Sequence, residues 1–333
     1  MKFLLVMCVV NAFAASAYAL SPKVALRVRV MDEDSRFLSE IPVACIFPDK
    51  TRLGDDDYSI VTNRTGRDGT AQFNGRSYNG WVEYGMIERN GYYSIDAIRT
   101  GFTNVVGIAM RKWQPYDEIH IITMQKKGDA IPLFVRNEDL GWSCDLTTAP
   151  DRKFYYDLVK GDWLPPFGKG VKADIEFRLL PRKDLGPGLG PSGIPGRSFR
   201  DEIILKFIGD GNGIVSMTPP PNAVLKIREA PVDGYEQQCS SWSGRDSRMQ
   251  RKQSEYNAKC QAFRIRTEKN PEGKVVSALY GKVYGGFPLT YKVLDHPSGV
   301  YFTYYLNLTP NDRNLEWDME HNLCPVRDNF NQP

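Results

Sequence analysis

Val24-Ala25-Leu26-Arg27-Val28-Arg29-Val30 is the stretch from which the fold can be read. Val24, Leu26, Val28 and Val30 recur at every second position, so one face enters a core and the other meets water. Working outward, an acidic turn, Asp32-Glu33-Asp34-Ser35, leads to a second strand, Ile41-Pro42-Val43-Ala44-Cys45-Ile46-Phe47. Pro42 is confined to its start because proline cannot donate to a ladder. Val61-Thr62-Asn63 then runs into Gly66-Arg67-Asp68-Gly69-Thr70, a turn rich in residues that tolerate positive φ. Ala71-Gln72-Phe73, Trp81-Val82-Glu83-Tyr84 and Glu118-Ile119-His120-Ile121-Ile122-Thr123 read as further strands. This cadence predicts a small β-sandwich over 22–125.

Composition extends the all-β reading to the whole chain. Its 17 Tyr, 16 Phe and 6 Trp are joined by 29 Gly and 22 Pro, the mix of short strands with explicit turns. With 43 basic against 40 acidic residues the net charge is only +3, which gives no sign of a nucleic-acid partner. At the start, Lys2, the apolar run Phe3 to Val10 and Ala17-Tyr18-Ala19 have the order of a secretory signal cleaved near Ala19. That run is too short to cross a bilayer and no later segment approaches ~20 apolar residues, so no membrane span is expected. Met7 before Cys8 does not suit a lipobox. The expected location is secreted, periplasmic or at the cell surface.

A connector is expected over 126–150, with one apolar strand, Ile131 to Val135. A larger β-rich domain of unassigned family follows over 151–325, then a tail, 326–333. Its predicted strands are Ala173 to Leu179, Ile203 to Ile208, Val224 to Ile227, and a hairpin of Ala262 to Thr267 with Val275 to Tyr284. The Gly/Pro-rich stretch 183–197 predicts a surface loop with little order. Ser240 to Lys259, with Arg245, Arg248, Arg251 and Lys252, reads as a loop or short surface helix. In Val300 to Leu308, Phe302, Tyr304, Leu306 and Leu308 share one face, and Tyr301, Thr303, Tyr305 and Asn307 the other.

The first region also carries a family likeness. A strand, an acidic turn, Ile41-Pro42-Val43-Ala44, then Thr62-Asn63-Arg64-Thr65-Gly66-Arg67-Asp68-Gly69-Thr70-Ala71-Gln72-Phe73 and Arg89-Asn90-Gly91-Tyr92-Tyr93 together resemble the carboxypeptidase regulatory-like domains. The resemblance implies an Ig-like, transthyretin-like β-sandwich of seven strands and no catalytic residue. The spacer Arg64 to Asp68 is longer than that family's. In the remainder, Asp157 to Gly170, Phe263 to Thr267, Tyr280 to Gly285 and Tyr304 to Asp318 resemble uncharacterised secreted bacterial proteins, which implies no activity.

Few constellations carry chemistry. The three histidines, His120, His296 and His321, stand apart in sequence. His120, between Ile119 and Ile121, is expected on the polar side of its strand. No nucleophile elbow or H-E-x-x-H is present, and His321 with Cys324 falls short of four zinc ligands, so no metal is expected. The glycines of 186–196 join no strand to a helix and lack a Lys-Ser/Thr, so no nucleotide or other cofactor is expected. Asp55-Asp56-Asp57 reads as a solvated acidic turn in preference to a calcium site. Outside the signal, Cys45, Cys144, Cys239, Cys260 and Cys324 remain. Cys239 and Cys260 are the pair placed to close a local disulfide loop, against the alternative of cysteines packed as small hydrophobes.

Two surface chemistries are left. Carboxylates in aromatic settings, Asp157, Asp162, Asp174, Glu316 and Asp318, would suit a carbohydrate-active hydrolase if two of them converged at glycosidase spacing. Trp163 and Phe167, flanking Pro165-Pro166, and Tyr301, Tyr305 and Trp317 are the candidate ligand-binding rings, with plugging of a sandwich end as the alternative. The favoured reading is a non-enzymatic binding or structural protein of the bacterial envelope, touching a glycan or another envelope protein, with no catalytic residue assigned. The alternative is the hydrolase, and a third is a subunit of a surface assembly.

Overall fold

Strands form wherever the period-two pattern stands. A computed structural model describes residues 21–49, 57–95, 98–107, 111–139, 151–190, 193, 195–217, 227–254, 260–293 and 296–325. Among them every named element is a strand, and the protein is all-β. Among the described residues no helix is long and apolar enough to cross a membrane. The expected signal segment, 1–19, with Asp55, Asp56, Cys144, Val224 to Lys226 and the expected tail, 326–333, lie outside the described residues. The chain divides into two compact units, with the boundary between Lys127 and Gly128.

Unit 1 carries β1 (Lys23–Asp32), β2 (Pro42–Asp49), β3 (Asp57–Arg64), β4 (Thr70–Arg76), β5 (Trp81–Tyr84), β6 (Ile98–Gly101), β7 (Asn104–Val106), β8 (Lys112–Gln114) and β9 (Glu118–Met124). One sheet runs β4-β1-β8-β7, with β9 also on β1, and the other runs β3-β2-β5-β6. β1 pairs antiparallel with β4 and parallel with β9. Its alternation places Val24, Leu26, Val28 and Val30 in the core with Val43, Cys45, Phe47, Phe73, Val82 and Tyr84. Arg27 and Arg29 face out, paired to Asp117 at 3.1 Å and hydrogen-bonded to Thr70 Oγ1 at 3.1 Å.

One expectation here is corrected. His120 shares its face with Ile122 and Met124, both buried, while Ile121 is 43% exposed. Period two puts His120 on the inner side because Met124 and Ile122, the even-numbered apolar residues, are the ones the core accepts. Its ring meets Tyr84 edge-on at 6.0 Å, and Nδ1 lies 3.4 Å from Thr100 Oγ1. The Tyr84 hydroxyl is buried with no hydrogen-bond partner, and burial pushes the neighbouring Cys45 thiol up to about 12.

Unit 2 carries β10 (Ile131–Asp139), β11 (Lys153–Asp157), β12 (Asp162–Trp163), β13 (Ile175–Leu179), β14 (Lys183–Leu189), β15 (Pro195–Phe207), β16 (Gly213–Met217), β17 (Gln238–Arg245), β18 (Arg251–Gln253), β19 (Cys260–Lys269), β20 (Val275–Tyr284), β21 (Leu289–Val293), β22 (His296–Asn307) and β23 (Trp317–Asn322). One sheet runs β16-β19-β20-β22-β10-β23 with β21 on β22, the other β12-β11-β13-β15-β17-β18 with β14 on β15. Between them lies one aromatic core that includes Phe154, Tyr156, Trp163, Phe177, Phe207, Phe263, Phe302 and Tyr304.

Three further expectations change. The connector of 126–150 contains β10, which pairs with β22 from Phe134–Leu306 to Asp139–Tyr301, so its apolar run belongs to the second unit's core. The stretch 183–197 is no loop: β14 pairs along β15, with one register shift between Asp184 and Gly186. Its glycines are used for close approach, since a Cβ on Gly188 would lie 2.9 Å from the Met249 sulfur. Ser240 to Arg245 is likewise strand, because Ser241 and Ser243 are small enough to be buried inside the sheet.

Burial holds the His120 imidazole below its ordinary value, with Glu118 opposing. The unfolded chain therefore binds that proton first as pH falls, so this contribution is full above about pH 6.5 and is lost as pH drops from there through the lower folded-state value. Thermal melts between about pH 8 and 5 are expected to show a declining midpoint whose slope is reduced in His120→Phe.

Candidate functional site

The five candidate rings do not form a platform. Trp163 is only 2% exposed and sits in the aromatic core, 4.9 Å from the Tyr156 ring and 5.3 Å from that of Phe177. Phe167 is half-buried against Phe154 at 5.3 Å, with the Arg152 guanidinium 4.7 Å from its centroid. The Pro165-Pro166 segment folds both rings back because Asp162 ties it down, accepting from the Trp163 and Lys169 amides at 2.8 Å each. Tyr305 is buried as well, on the opposite face of β22, beneath Trp317 at 5.6 Å and beside Tyr284 at 5.8 Å. Tyr301 alone of the five is exposed, and its hydroxyl accepts from Asn137 Nδ2 at 2.8 Å. The plug reading of Trp163 and Tyr305 replaces the ligand-binding one.

The expected disulfide is also absent. Cys239 lies on β17 and Cys260 on β19, strands of different sheets, and no bond joins them. Within the polar segment between them, β17 and β18 form an antiparallel hairpin from Ser243–Gln253 to Arg245–Arg251.

Of the carboxylates, the structure brings Asp157 and Asp174 together. Both are buried, and Arg266 lies between them, with Nη2 2.7 Å from Asp157 Oδ1 and Nε 3.1 Å from Asp174 Oδ1. Asp157 also accepts from the amides of Val159, Lys160, Val171 and Lys172, and Asp174 from that of Leu158. Burial works against the Asp157 carboxylate, yet the Lys172, Val171 and Lys160 amides and the Arg266 charge outweigh it and hold its carboxyl below the usual range. Asp174 goes the other way: burial pushes it up, against Arg266 and the Leu158 amide. With every oxygen hydrogen-bonded, these two acids form a clasp around Arg266. Asp162 is spent on its loop, Glu316 accepts from the Gly128 amide, and Asp318 pairs with His321 at the surface.

What faces outward is in unit 1. A polar cleft of about 610 Å³ is lined by Glu40, Glu88, Arg89, Asn90, Tyr92 and Lys127, two acids balanced by two cations. On the outer face of the smaller sheet, cross-strand register places Ile60 against Ile46, Ile46 against Glu83, and Glu83 against Arg99. Arg99 lies 4.0 Å over the Trp81 ring and 3.0 Å from Glu83. Tyr58 is 52% and Ile60 65% exposed. β3 ends this sheet: among the described residues it pairs with β2 through eight unbroken register positions and has no strand on its other side. Sequence reading began this strand at Val61 and missed Tyr58 and Ile60. The alternation Tyr58-Ser59-Ile60-Val61-Thr62, all strand-favouring save the serine, was the available signal.

No protein-family model and no curated protein matches the chain. Among solved structures it is similar to 3-chlorocatechol 1,2-dioxygenase from Rhodococcus opacus, at 12% identity and TM-score 0.25, over 32% of this chain and 61% of that one. It is also similar to a streptococcal ancillary pilin, at 12% and 0.22, over 60% and 57% of the two chains. A shaft pilin from Lactobacillus rhamnosus GG gives 10% and 0.21, over 57% and 89%. The chain thus covers about three fifths of the first two, 61% and 57%. At such scores no site, partner or activity carries over.

Two variants check these assignments. Trp163→Ala is expected to cost about 3–5 kcal/mol in urea unfolding, as the loss of a packed core ring does, and not to act as a surface change. Arg266→Ala, which leaves two buried carboxylates without their cation, is expected to cost about 3–5 kcal/mol, with much of it regained when Asp174→Asn is added.

Proposed function

We propose that this chain is an exported, non-enzymatic binding or structural component of the bacterial envelope that works by protein contact, through the β3 edge and outer face of the smaller sheet in unit 1. The observation that carries the reading is β3 itself: an eight-residue edge strand with exposed Tyr58 and Ile60. An open edge offers a row of unsatisfied N–H and C=O groups to another strand, and the side chains at alternate positions supply selectivity. Unit 1 is proposed to be the transthyretin-like sandwich that presents this edge.

Glycan contact loses support because the rings that would stack on sugars are consumed in cores. The hydrolase alternative loses support because the carboxylates that converge are held by Arg266. A photo-crosslinking residue at position 60, in cells that export the chain, is expected to give discrete protein adducts, and the same residue at buried position 163 none. A glycan-array signal lost in Tyr301→Ala, with no adduct at position 60, would overturn the reading.

A further inference from the structure

We infer that the β14–β15 hairpin of unit 2 docks shallowly on an anionic phospholipid surface. Leu185 and Leu189 enter the headgroup layer, and the basic side chains around them meet the lipid phosphates. This goes beyond the protein contact proposed for β3 and rests on other residues.

The hairpin has two unlike faces. Register pairs Pro187 with Arg197, Gly188 with Gly196 and Leu189 with Pro195. Period two therefore puts Gly188 and Gly196 on one side, where Met249 lies over them. Pro187, Leu189, Pro195 and Arg197 take the other side, and all four are exposed. Leu185, at the register shift, and Leu189 are each 59% exposed. Single exposed leucines are ordinary on a soluble surface. Here two share one short strand with a proline and two glycines, and no polar side chain lies from Leu185 to Leu189.

A partner strand is a poor occupant for this margin, because strand addition needs free donors. Pro187 and Pro195 have no N–H. The Leu189 amide donates to the Ser247 carbonyl and the Gly186 amide to Asp184 Oδ1, each at 2.9 Å. Ser198 Oγ donates to the Gly186 carbonyl at 3.0 Å. Lipid asks for the reverse of an open edge: backbone groups must be satisfied within the protein before they leave water.

Charge selects an anionic lipid. Lys183 on β14 stands directly opposite Arg200 on β15, Arg200 opposite Gly244 on β17, and Gly244 opposite Lys252 on β18. Like charges placed as Lys183 and Arg200 are destabilise a sheet. One carboxylate, Glu202, answers both, at 3.6 and 3.3 Å. Lys252 meets Asp246 at 3.7 Å, Arg197 pairs with Asp184, and Arg248 is exposed in the turn that carries Ser247. In each of these pairs the cation is the more exposed member, as with Lys183 at 60% against Glu202 at 15%, so the outermost layer is positive. Apolar insertion and a basic patch are each weak alone, and together they hold a peripheral protein on an anionic leaflet.

The test uses the full exported chain with vesicles of phosphatidylglycerol and phosphatidylcholine in equal parts, against phosphatidylcholine alone. Co-sedimentation is expected with the first and not the second, and is expected to fall as salt rises from ~0.1 to ~0.5 M. Leu185→Ser with Leu189→Ser is expected to weaken binding about 10-fold or more, with an unchanged circular dichroism spectrum because both residues are exposed. Lys183→Gln with Arg248→Gln is expected to weaken it roughly 5-fold per charge. Relative to wild type, Leu189→Trp is expected to move fluorescence to the blue on anionic vesicles, whereas Val276→Trp, at an exposed position of β20, is not. A chain that ignores anionic vesicles, or binds them equally without its two leucines and with no shift at position 189, overturns the inference. Capture by dextran sulfate with none by vesicles also overturns it and gives the basic residues to a soluble polyanion. Crosslinking at position 60 is indifferent to all of these outcomes, so the two readings fail separately.

Discussion

Closure of the larger unit depends on a single guanidinium. Arg266 projects from β19 in one sheet onto Asp157 and Asp174 at the end of the other, and its backbone departs from strand geometry to do so, with φ at 53° beside a register shift in β19. A positive φ on a bulky residue costs about 1–3 kcal/mol and persists only where the surroundings over-determine it. Here they do. Without the bulge the side chain would continue the alternation along β19 and could not reach both acids. The clasp adds little net stability over an apolar contact, because desolvation of three charges offsets their attraction. Its role is to admit one way of closing the sheets, since any other alignment would bury the same charges unpaired.

That closure explains where the chemistry of this chain has gone. Behind the clasp the polar tips of two core tyrosines are accounted for internally. Tyr304 donates to the Leu158 carbonyl at 2.8 Å, and Tyr156 to Glu138 Oε2 at 2.8 Å, where burial pushes the Glu138 carboxyl up. The Leu158 amide and carbonyl thus go to Asp174 and Tyr304, which links the turn after β11 to the clasp and the core at once. Acids and rings that in an open cleft would suggest turnover are in this unit parts of a packed wall.

How much of this was legible depended on whether a local rule decided the outcome. Period two along Val24 to Val30 and along Phe302 to Leu306 placed strands and core faces correctly, because alternation is imposed by the pleat itself. The parity of β9 was misread: His120 looks like the polar member of its run, yet the buried phase is set by Ile122 and Met124 further along. For Trp163, sequence neighbours such as Pro165-Pro166 suited an extended platform and a plug equally, and the amides that Asp162 caps, which decide between them, come from a fold of the loop. Cys239 and Cys260 lie on β17 and β19, in separate sheets, a placement that closeness in sequence does not reveal. Glycine-rich 183–189 read as loop because propensity says nothing about a strand that holds Gly186 at a φ of 95° beside a register shift.

The edges of the sheets finally set β3 apart. β12 and β18 are two and three residues long, and β18 is Arg251-Lys252-Gln253, fully exposed and cationic. β14 holds Pro187, which cannot donate, and begins with Lys183. β23 carries Asp318 and Glu320. β4, comparable in length to β3, turns Gln72 and Asn74 to solvent. Each of these is a familiar way of making an edge unattractive to a passing strand: brevity, charge, a missing N–H, or polarity. β3 uses none along its middle and exposes Tyr58 and Ile60 instead, with charge only at its ends and of opposite sign. Beside β4, β12, β14, β18 and β23, β3 is the margin left regular and apolar along its middle.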